Sequence, residues 1–368
     1  MTTLQLDVAT SEARKFARLS AGDIAVLAGA LLYAAVAIAA LSVTGARQAL
    51  AFSSYFVVWP FVFFVLFPAV YGLLVLLRIV HRFETGRGRR LALRRACSVR
   101  HLRSFATGLV LLAAMMIFQG AFTSIKTALP IWNGGFPHDI AQADLDRALH
   151  LGVDPWRYLY AAGAQPWIRA LVEWNYNQGW FIVCYATLFF IAVSASTNAA
   201  RTRYLVTYML AWVVVGNLLA GLFLSAGPAF YGHVTGDTAR FADQLAFLAA
   251  SGDGAHSATR VQDYLWHFYS SGQSGLGSGI SAFPSMHVGL VTLNALFIAE
   301  FSRRWGVLAF AYVLLVLASS VYLAWHYAID GYVAVAVTIA LFFATKRIFL
   351  KASSAPLPGS NGWRPSSG

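Results

Sequence analysis

The sequence has few charged residues and almost no cysteine. Of its 368 residues, 11% are charged and 58% are hydrophobic, whereas about 25% of the residues in an ordinary soluble domain are charged. The apolar residues lie in long uninterrupted blocks instead of following a helical or strand period, and in water such blocks would expose large apolar surfaces. These features exclude a soluble globular protein and indicate one that resides in a lipid bilayer.

Cysteine content and charge distribution exclude two further classes. The two cysteines are Cys97 in an arginine-rich stretch and Cys184 in an apolar block, so a disulfide framework or a cysteine metal site is excluded. The net charge of +12 is typical of nucleic-acid binders, but nine arginines crowd between Arg78 and Arg103 and the others flank apolar blocks. Because that distribution sets membrane orientation, we expect no nucleic-acid partner and expect anionic lipids at the basic stretch. The sequence identifies no protein partner.

Eight apolar blocks are long enough to predict membrane helices, which need about 20 residues each. The last two blocks form one long run that would overshoot a hydrocarbon core of about 30 Å as a single helix, so a break is predicted near Tyr322 to His326. The fold class is therefore all-α, a polytopic membrane helix bundle. The predicted spans lie near residues 22–43, 55–79, 105–125, 176–196, 204–225, 286–301, 306–323 and 326–345.

The basic residues orient these spans. A cytoplasmic N-terminus, with Arg14, Lys15 and Arg18, places 20 of the 27 Lys and Arg residues in the cytoplasm, where positive charge is in excess. Both termini are then cytoplasmic, and the segments 126–175 and 226–285 face outward as short interfacial helices bordering a site. The first apolar block exceeds a signal-peptide core and is interpreted as a retained anchor. With the arginine-rich composition, this favours a bacterial inner membrane and chemistry on the periplasmic side.

Three parts are predicted along the chain. Residues 1–103 form a two-span hairpin with a basic cytoplasmic loop, and residues 104–348 form a six-span catalytic membrane domain. Residues 349–368, most of which are small or polar, are expected to be a disordered cytoplasmic tail.

The segment Ser281-Ala-Phe-Pro-Ser-Met-His287 stands where the second outward segment becomes the sixth span. Proline is favoured at the first helical position, so Pro284 predicts a helix start. The N–H groups of Ser285 and the next two residues would then lack partners within the helix and, with the Ser285 hydroxyl, form an anion site. His287 would donate a proton to a leaving group held there. The alternative is an interfacial histidine without a chemical role.

His326 and Asp330 stand four residues apart where the last span begins, so they share one helical face. Asp330 would accept a hydrogen bond from one ring nitrogen and leave the other as a nucleophile. An ionisable residue inside a span is costly and usually faces a polar cavity, although a structural pair between helices is the alternative. Two outward-facing histidines of this kind indicate phosphoryl transfer through a phosphohistidine.

Two other interpretations use the same residues. A zinc site of His287, His326 and Asp330 has no HExxH motif or cysteine pair to support it, so no metal is expected. In a lipid or polyprenyl-phosphate transporter, the three residues would form a proton relay. Both histidines lie at one membrane face and the chain shows no internal repeat, which favours an enzyme over a transporter.

At these motifs the chain resembles the type 2 phosphatidic acid phosphatase superfamily and, within it, the branch of the inositol phosphorylceramide synthases. SAFPSMH at 281–287 is similar to the second motif of the superfamily, and HYAID at 326–330 to the third motif in the HYxxD form of that branch. SAGPAFY at 225–231 resembles the counterpart of the first motif in the branch. The resemblance covers roughly residues 105–346 and implies a six-helix catalytic core.

The resemblance implies a role for each motif residue. His326 would become phosphorylated, Asp330 would orient it, and His287 would be the general acid. Membrane lipids would be the substrates, no metal or other cofactor would be needed, and the activity would be that of a lipid phosphatase or of a head-group transferase to ceramide or diacylglycerol. The predicted substrate-binding residues are Pro284, Ser285, Ser225, Tyr231 and Arg240.

The chain departs from the wider superfamily at one charged position. The superfamily has an arginine six residues before the nucleophilic histidine, and that place is Ser320 here. The inositol phosphorylceramide synthase branch also lacks this arginine, so the departure favours the branch. The charge of a bound phosphate must then be neutralised from elsewhere. The outward-facing candidates, which the sequence does not rank, are Lys126, His233, Arg240, Arg260 and His267.

Overall fold

The computed structural model describes residues 19–250, 254 and 257–354, and every regular element in that part of the chain is helical. The protein is a polytopic membrane helix bundle. The described residues contain eight apolar helices, which are α1 (Ala21–Val43), α2 (Arg47–Arg82), α4 (Val99–Asn133), α7 (Pro166–Val193), α8 (Asn198–Leu222), α12 (Met286–Phe301), α13 (Arg303–Tyr322) and α14 (Ala328–Ser354). Seven of them are long and apolar enough to cross a membrane, and α12 is apolar but shorter, with 16 residues.

These helices confirm the predicted fold class and the break between the last two spans. Helix α7 begins ten residues before the predicted span, because the interfacial segment Pro166–Trp174 is helical and continues into the span through the π-helical turn Asn175–Gly179. Helix α14 continues through residues 349–354, which the sequence had assigned to the tail. Residues 355–368 and the predicted cytoplasmic charges of the N-terminus lie outside the described residues. The division into three parts stays a prediction.

Helices α4 and α12 are at the centre of the bundle. Helix α4 packs against α1, α2 and α7, whereas α12 packs against α7, α8, α13 and α14. Two buried polar contacts fasten α1 to α8. The Arg201 guanidinium donates to both carboxylate oxygens of Asp23, at 2.9 and 3.1 Å, and the Tyr33 hydroxyl donates to the Asn217 side chain. A buried charge needs such a partner, so α1 is held firmly against the rest of the bundle.

The two segments predicted to face outward fold into short helices only in part: residues 126–133 belong to α4 and residues 166–175 to α7, and the short helices of the remainder lie at one end of the bundle. Gln244 and Gln262, from two of these helices, donate side-chain hydrogen bonds to the carbonyls of Val321 and Leu323, at 2.8 and 3.1 Å. The short helices therefore cover the connection between α13 and α14. They are α5 (Asp139–Leu149), α6 (Trp156–Gly163), α9 (Tyr231–Thr235), α10 (Ala242–Ala249) and α11 (Ala258–Ser270), and α3 (Gly86–Ala96) lies between α2 and α4.

Candidate active site

The connection between α13 and α14 positions His326. The Ser320 carbonyl accepts from the backbone N–H groups of Trp325 and His326, at 3.0 and 3.3 Å, and this closes α13. The predicted hydrogen bond to the first turn of α14 is present, with His326 Nδ1 3.2 Å from Asp330 Oδ2. The same oxygen accepts from the Tyr327 N–H at 3.1 Å. Asp330 is 0% and His326 6% exposed, so their geometry is fixed by packing.

Burial also sets the protonation of His326. It lowers the pKa of this imidazole to about 3, the positive charge of Lys126 acts in the same direction, and the nearby Ala282 carbonyl opposes the shift. The ring is therefore neutral near pH 7. Only a neutral imidazole carries the lone pair that attacks phosphorus.

The start of α12 differs from the prediction by two residues. Helix α12 begins at Met286, and Ser285 is the N-cap residue, whose hydroxyl accepts from the Val288 N–H at 3.4 Å. Serine is among the best N-cap residues, and for that reason Pro284 precedes the cap instead of occupying the first helical position. The Ser285 N–H donates to the Asp330 carbonyl at 3.1 Å, so it is not one of the unpaired donors that the sequence predicts. This bond ties the second motif to the third.

His287 lies in the first turn of α12 with its ring held between two aromatic rings of α7. Its centroid is 4.3 Å from that of Tyr176, with the planes at 14°, and 4.0 Å from that of Trp180. Trp180 Nε1 also donates to the His287 carbonyl at 2.9 Å. Tyr176 belongs to the π-helical turn of α7, a feature that is frequent at functional sites. The rings of His287 and His326 are 6.5 Å apart, which is close enough for one phosphoryl group to contact both.

The SAGPAFY segment contributes backbone to the site, which corrects the substrate-binding role predicted for Ser225 and Tyr231. The Ser225 carbonyl accepts from Ala282 N and the Ala229 N–H donates to the Ala324 carbonyl, both at 2.8 Å. The Ser225 side chain is fully buried, and Tyr231 packs against Phe241 in a buried cluster. The segment thus hydrogen-bonds both to the second motif and to the loop that leads into the third motif, and it holds the two at a fixed distance.

Gly227 allows that close packing. Its φ is +91°, and a Cβ atom at this position would lie 2.7 Å from the Trp325 carbonyl oxygen. A side chain would therefore be strained by the backbone conformation and would also collide with the loop that carries His326.

Two aspartates of α5 contribute to the site, although no sequence motif indicates them. Asp139 accepts from the N–H groups of Ala226 and Gly227, at 2.7 and 2.9 Å, and from the Tyr327 hydroxyl at 2.8 Å. Asp146 accepts from Ala328 and Ile329 N–H groups, at 3.0 and 3.1 Å.

Burial raises the pKa of both carboxyl groups, and these hydrogen bonds oppose the shift. Asp146 satisfies donors at the start of α14 that have no partner within the helix. The only signal in the sequence was the spacing of two acidic residues on one face of a short helix.

A cavity of about 260 Å³ lies in front of the two histidines. His287, His326 and Pro284 line it, and so does Lys126 of α4, one of the five candidate cations. Within the described residues Lys126 forms no ion pair. Tyr176 and Trp325 also line the cavity, and the Tyr176 hydroxyl and Trp325 Nε1 are buried without a hydrogen-bond partner in that part of the chain. These three donors can contact an anion beside His326.

The other predicted cations do not line this cavity. Arg240 donates to Asp144 and Asp154, at 2.6 and 3.0 Å, and to the Ala143 carbonyl at 2.7 Å. The substrate-binding role predicted for Arg240 is therefore not supported, because carboxylates of neighbouring segments already neutralise its charge. The remaining candidates, His233, Arg260 and His267, are absent from the cavity lining as well. Among the described residues, no three His, Cys, Asp or Glu side chains come close enough to hold a metal ion.

Comparison with known proteins gives one match. The family model described as the PAP2 superfamily matches residues 141–344, which include all three motifs. No curated protein and no solved structure is significantly similar to the chain.

Proposed function

This chain belongs to the PAP2 superfamily, and from that premise we propose that it is a membrane lipid phosphatase or phosphotransferase that works through a phosphohistidine. The observation that carries the proposal is the hydrogen bond of His326 to Asp330 beside a cavity that His287 and Lys126 also line. This is the arrangement of a nucleophile, its orienting carboxylate, a proton donor and a cation.

In the first step Nε2 of His326 attacks the phosphorus of a lipid phosphate or phosphodiester. A P–N bond forms as the P–O bond to the departing alcohol breaks, and His287 gives a proton to that oxygen. In the second step an acceptor hydroxyl, from water or from a lipid, gives its proton to His287 and attacks phosphorus. The P–N bond breaks and its electron pair returns to Nε2. Asp330 keeps the proton of His326 on Nδ1 throughout.

Lys126 would supply the positive charge that the arginine supplies in the wider superfamily. Ser320, at the position where the wider superfamily has arginine, is buried and its hydroxyl donates to the Leu317 carbonyl at 2.7 Å. Serine there forms part of the turn and supplies no positive charge. The Lys126 ammonium, the Tyr176 hydroxyl and Trp325 Nε1 would hold the phosphate oxygens and stabilise the charge that develops on them.

Head-group transfer, as in the inositol phosphorylceramide synthases, is the second outcome of the same chemistry. The HYxxD form of the third motif and the absence of the arginine favour that branch. The cavity wall also includes the apolar side chains of Val261, Leu265, Leu276 and Ile280, and such a wall suits a lipid acceptor and disfavours water. The acceptor would be ceramide or diacylglycerol. We place the active site on the periplasmic side of a bacterial inner membrane, with both termini in the cytoplasm.

The test uses the purified full-length protein in detergent with a lipid phosphodiester that carries a labelled head group, with and without ceramide or diacylglycerol. Free phosphate or phosphorylated head group formed without an acceptor identifies a hydrolase, whereas a new phospholipid formed only with an acceptor identifies a transferase. Folded protein that gives neither product contradicts the proposal and favours the transporter with a proton relay.

The matched variants are His326→Ala and His267→Ala. Both remove a histidine from the same end of the bundle, but His267 is exposed and does not line the cavity. We expect activity to be lost in the first variant and kept in the second. His326→Ala should melt at a lower temperature, because it leaves the buried Asp330 carboxylate without its partner, so activity is compared at a temperature at which both variants are folded.

A further inference from the structure

A second cavity lies at the opposite end of the bundle from the candidate active site. It has a volume of about 850 Å³ and lies between the end of α2, helix α3, the start of α4 and the residues that follow α7. Helix α4 carries His101 at this groove and Lys126 at the active-site cavity. Lys126 follows His101 by 25 positions, which corresponds to about 37 Å of helix and exceeds the hydrocarbon core of about 30 Å. The two sites therefore lie on opposite faces of the membrane.

The groove is apolar along its length and cationic at one end. Half-buried Tyr71 and Val75 of α2 and Phe105 of α4 line the apolar part. Arg82 follows Tyr71 by 11 positions, which corresponds to about 16 Å of helix, or about one leaflet of the hydrocarbon core. The groove thus has the length and the polarity gradient of one phospholipid in a single leaflet.

Three arginines form the cationic end. Arg78, Arg82 and Arg95 line the groove, and within the described residues none of them forms an ion pair with a carboxylate. Glu84 is the one acidic residue between Arg78 and Arg103, and it does not line the groove. The charge here is therefore uncompensated within the described part of the chain.

From this geometry we infer that the groove binds one anionic phospholipid of the cytoplasmic leaflet. Its phosphate contacts Arg78, Arg82 and Arg95, and an acyl chain lies along Tyr71, Val75 and Phe105. Arginines bind phosphate through charge-assisted hydrogen bonds, and basic pockets between membrane helices are suited to anionic head groups. The site is separate from the phosphohistidine chemistry and does not depend on it.

The test measures lipid retained by the full-length protein in detergent. Delipidated protein is offered phosphatidylglycerol or phosphatidylcholine, and native mass spectrometry counts the lipids bound. We expect the wild type to retain one phosphatidylglycerol per chain and no phosphatidylcholine. The variant Arg78→Gln/Arg82→Gln/Arg95→Gln should bind phosphatidylglycerol at least about tenfold more weakly.

The matched control is Arg87→Gln/Arg90→Gln/Arg94→Gln, which removes the same charge from α3 residues outside the groove. This control should bind phosphatidylglycerol as the wild type does. Val75→Trp, which fills the apolar part and keeps every charge, should lose binding. Glycerol 3-phosphate in excess should not compete, because it has no acyl chain.

Four results would overturn the inference. Equal losses in the two triple variants would mean a diffuse electrostatic attraction, and equal retention of phosphatidylcholine would mean an apolar groove without head-group recognition. Competition by glycerol 3-phosphate would make the site one for a soluble phosphate. A wild type that retains neither lipid would leave the groove to another occupant, such as an acidic protein segment.

Discussion

Nδ1 of His326 lies 3.2 Å from Oδ2 of Asp330, and the same carboxylate oxygen accepts from the Tyr327 N–H. One oxygen therefore fixes both the tautomer of the imidazole and the turn that carries it. The other oxygen, Oδ1, is buried without a hydrogen-bond partner among the described residues. Within the described residues, the Asp330 carboxylate therefore hydrogen-bonds to His326 and to the backbone of the loop that carries it.

Asp330→Asn should lower kcat by roughly 10²- to 10⁴-fold and change KM little. An amide that turns its NH₂ group towards Nδ1 reverses the tautomer of His326. An amide that turns its oxygen there keeps the tautomer but removes the negative charge that stabilises the phosphohistidine. The measurement is steady-state turnover of a lipid phosphate beside the melting temperature. A folded Asp330→Asn variant with wild-type kcat would show that the pair is only structural.

His287→Ala should reveal the general acid through the leaving group. A lipid alkoxide departs poorly without a proton, so the first turnover of a lipid phosphate should slow by roughly 10²- to 10⁴-fold. p-Nitrophenolate departs without help, so a burst of one p-nitrophenol per chain should survive in the variant. Rapid-quench kinetics with both substrates make the comparison. Equal losses in the two first turnovers would assign His287 a role in folding or binding instead.

Lys126→Gln should lower kcat/KM for a lipid phosphate by roughly 10- to 100-fold, since a hydrogen bond to a charged group contributes about 1.5–3 kcal/mol. Lys126→Arg should restore part of this loss. The comparison variant is Arg240→Gln, which removes a cation that is already paired with Asp144 and Asp154. That variant should melt at a lower temperature while its folded fraction keeps kcat/KM within about twofold. The reverse pattern would place the phosphate at Arg240.

Asp146→Asn should destabilise the protein by about 1–3 kcal/mol, because an amide cannot accept from both the Ala328 and Ile329 N–H groups with the same geometry. Turnover should fall as well, since these bonds hold the start of α14 beside His326. Asp243→Asn is the control, because Asp243 is exposed and its pair with Arg157 spans 3.6 Å. Unfolding in increasing denaturant gives both free energies. A stable, fully active Asp146→Asn variant would contradict the bracing role of α5.

The sequence predicted the membrane helices because hydropathy over about 20 residues integrates many side chains. It failed where a few polar residues interrupt a helix. Pro166–Trp174 carries charged residues and continues into the apolar part of α7 through the π-helical turn Asn175–Gly179, so hydropathy predicts a start at residue 176 although the helix begins at Pro166. A π-helical turn keeps the backbone hydrogen bonds within the helix, whereas its polar side chains do not raise the local hydropathy.

For the site, local spacing predicted the contact of His326 with Asp330 because both residues belong to one turn of chain. It could not predict that Lys126 joins them, since Lys126 comes from a helix some 200 residues earlier in the sequence. Nor could it distinguish side-chain from backbone roles in SAGPAFY. The sequence predicts Ser225 and Tyr231 as substrate ligands. In the structure the Ser225 carbonyl accepts a hydrogen bond, and Gly227 permits a close approach of the loop that carries His326.

The most direct test of the central claim is to trap the phosphoenzyme. Purified wild type, His326→Ala and His287→Ala are mixed with phosphatidate labelled at phosphorus, quenched in alkali and separated from lipid. We predict label on the wild-type chain that is stable in alkali and lost in acid, as a phosphoramidate is, and no label on His326→Ala. Label that persists on His326→Ala, or a wild type that turns over without ever carrying label, would contradict a phosphohistidine at His326.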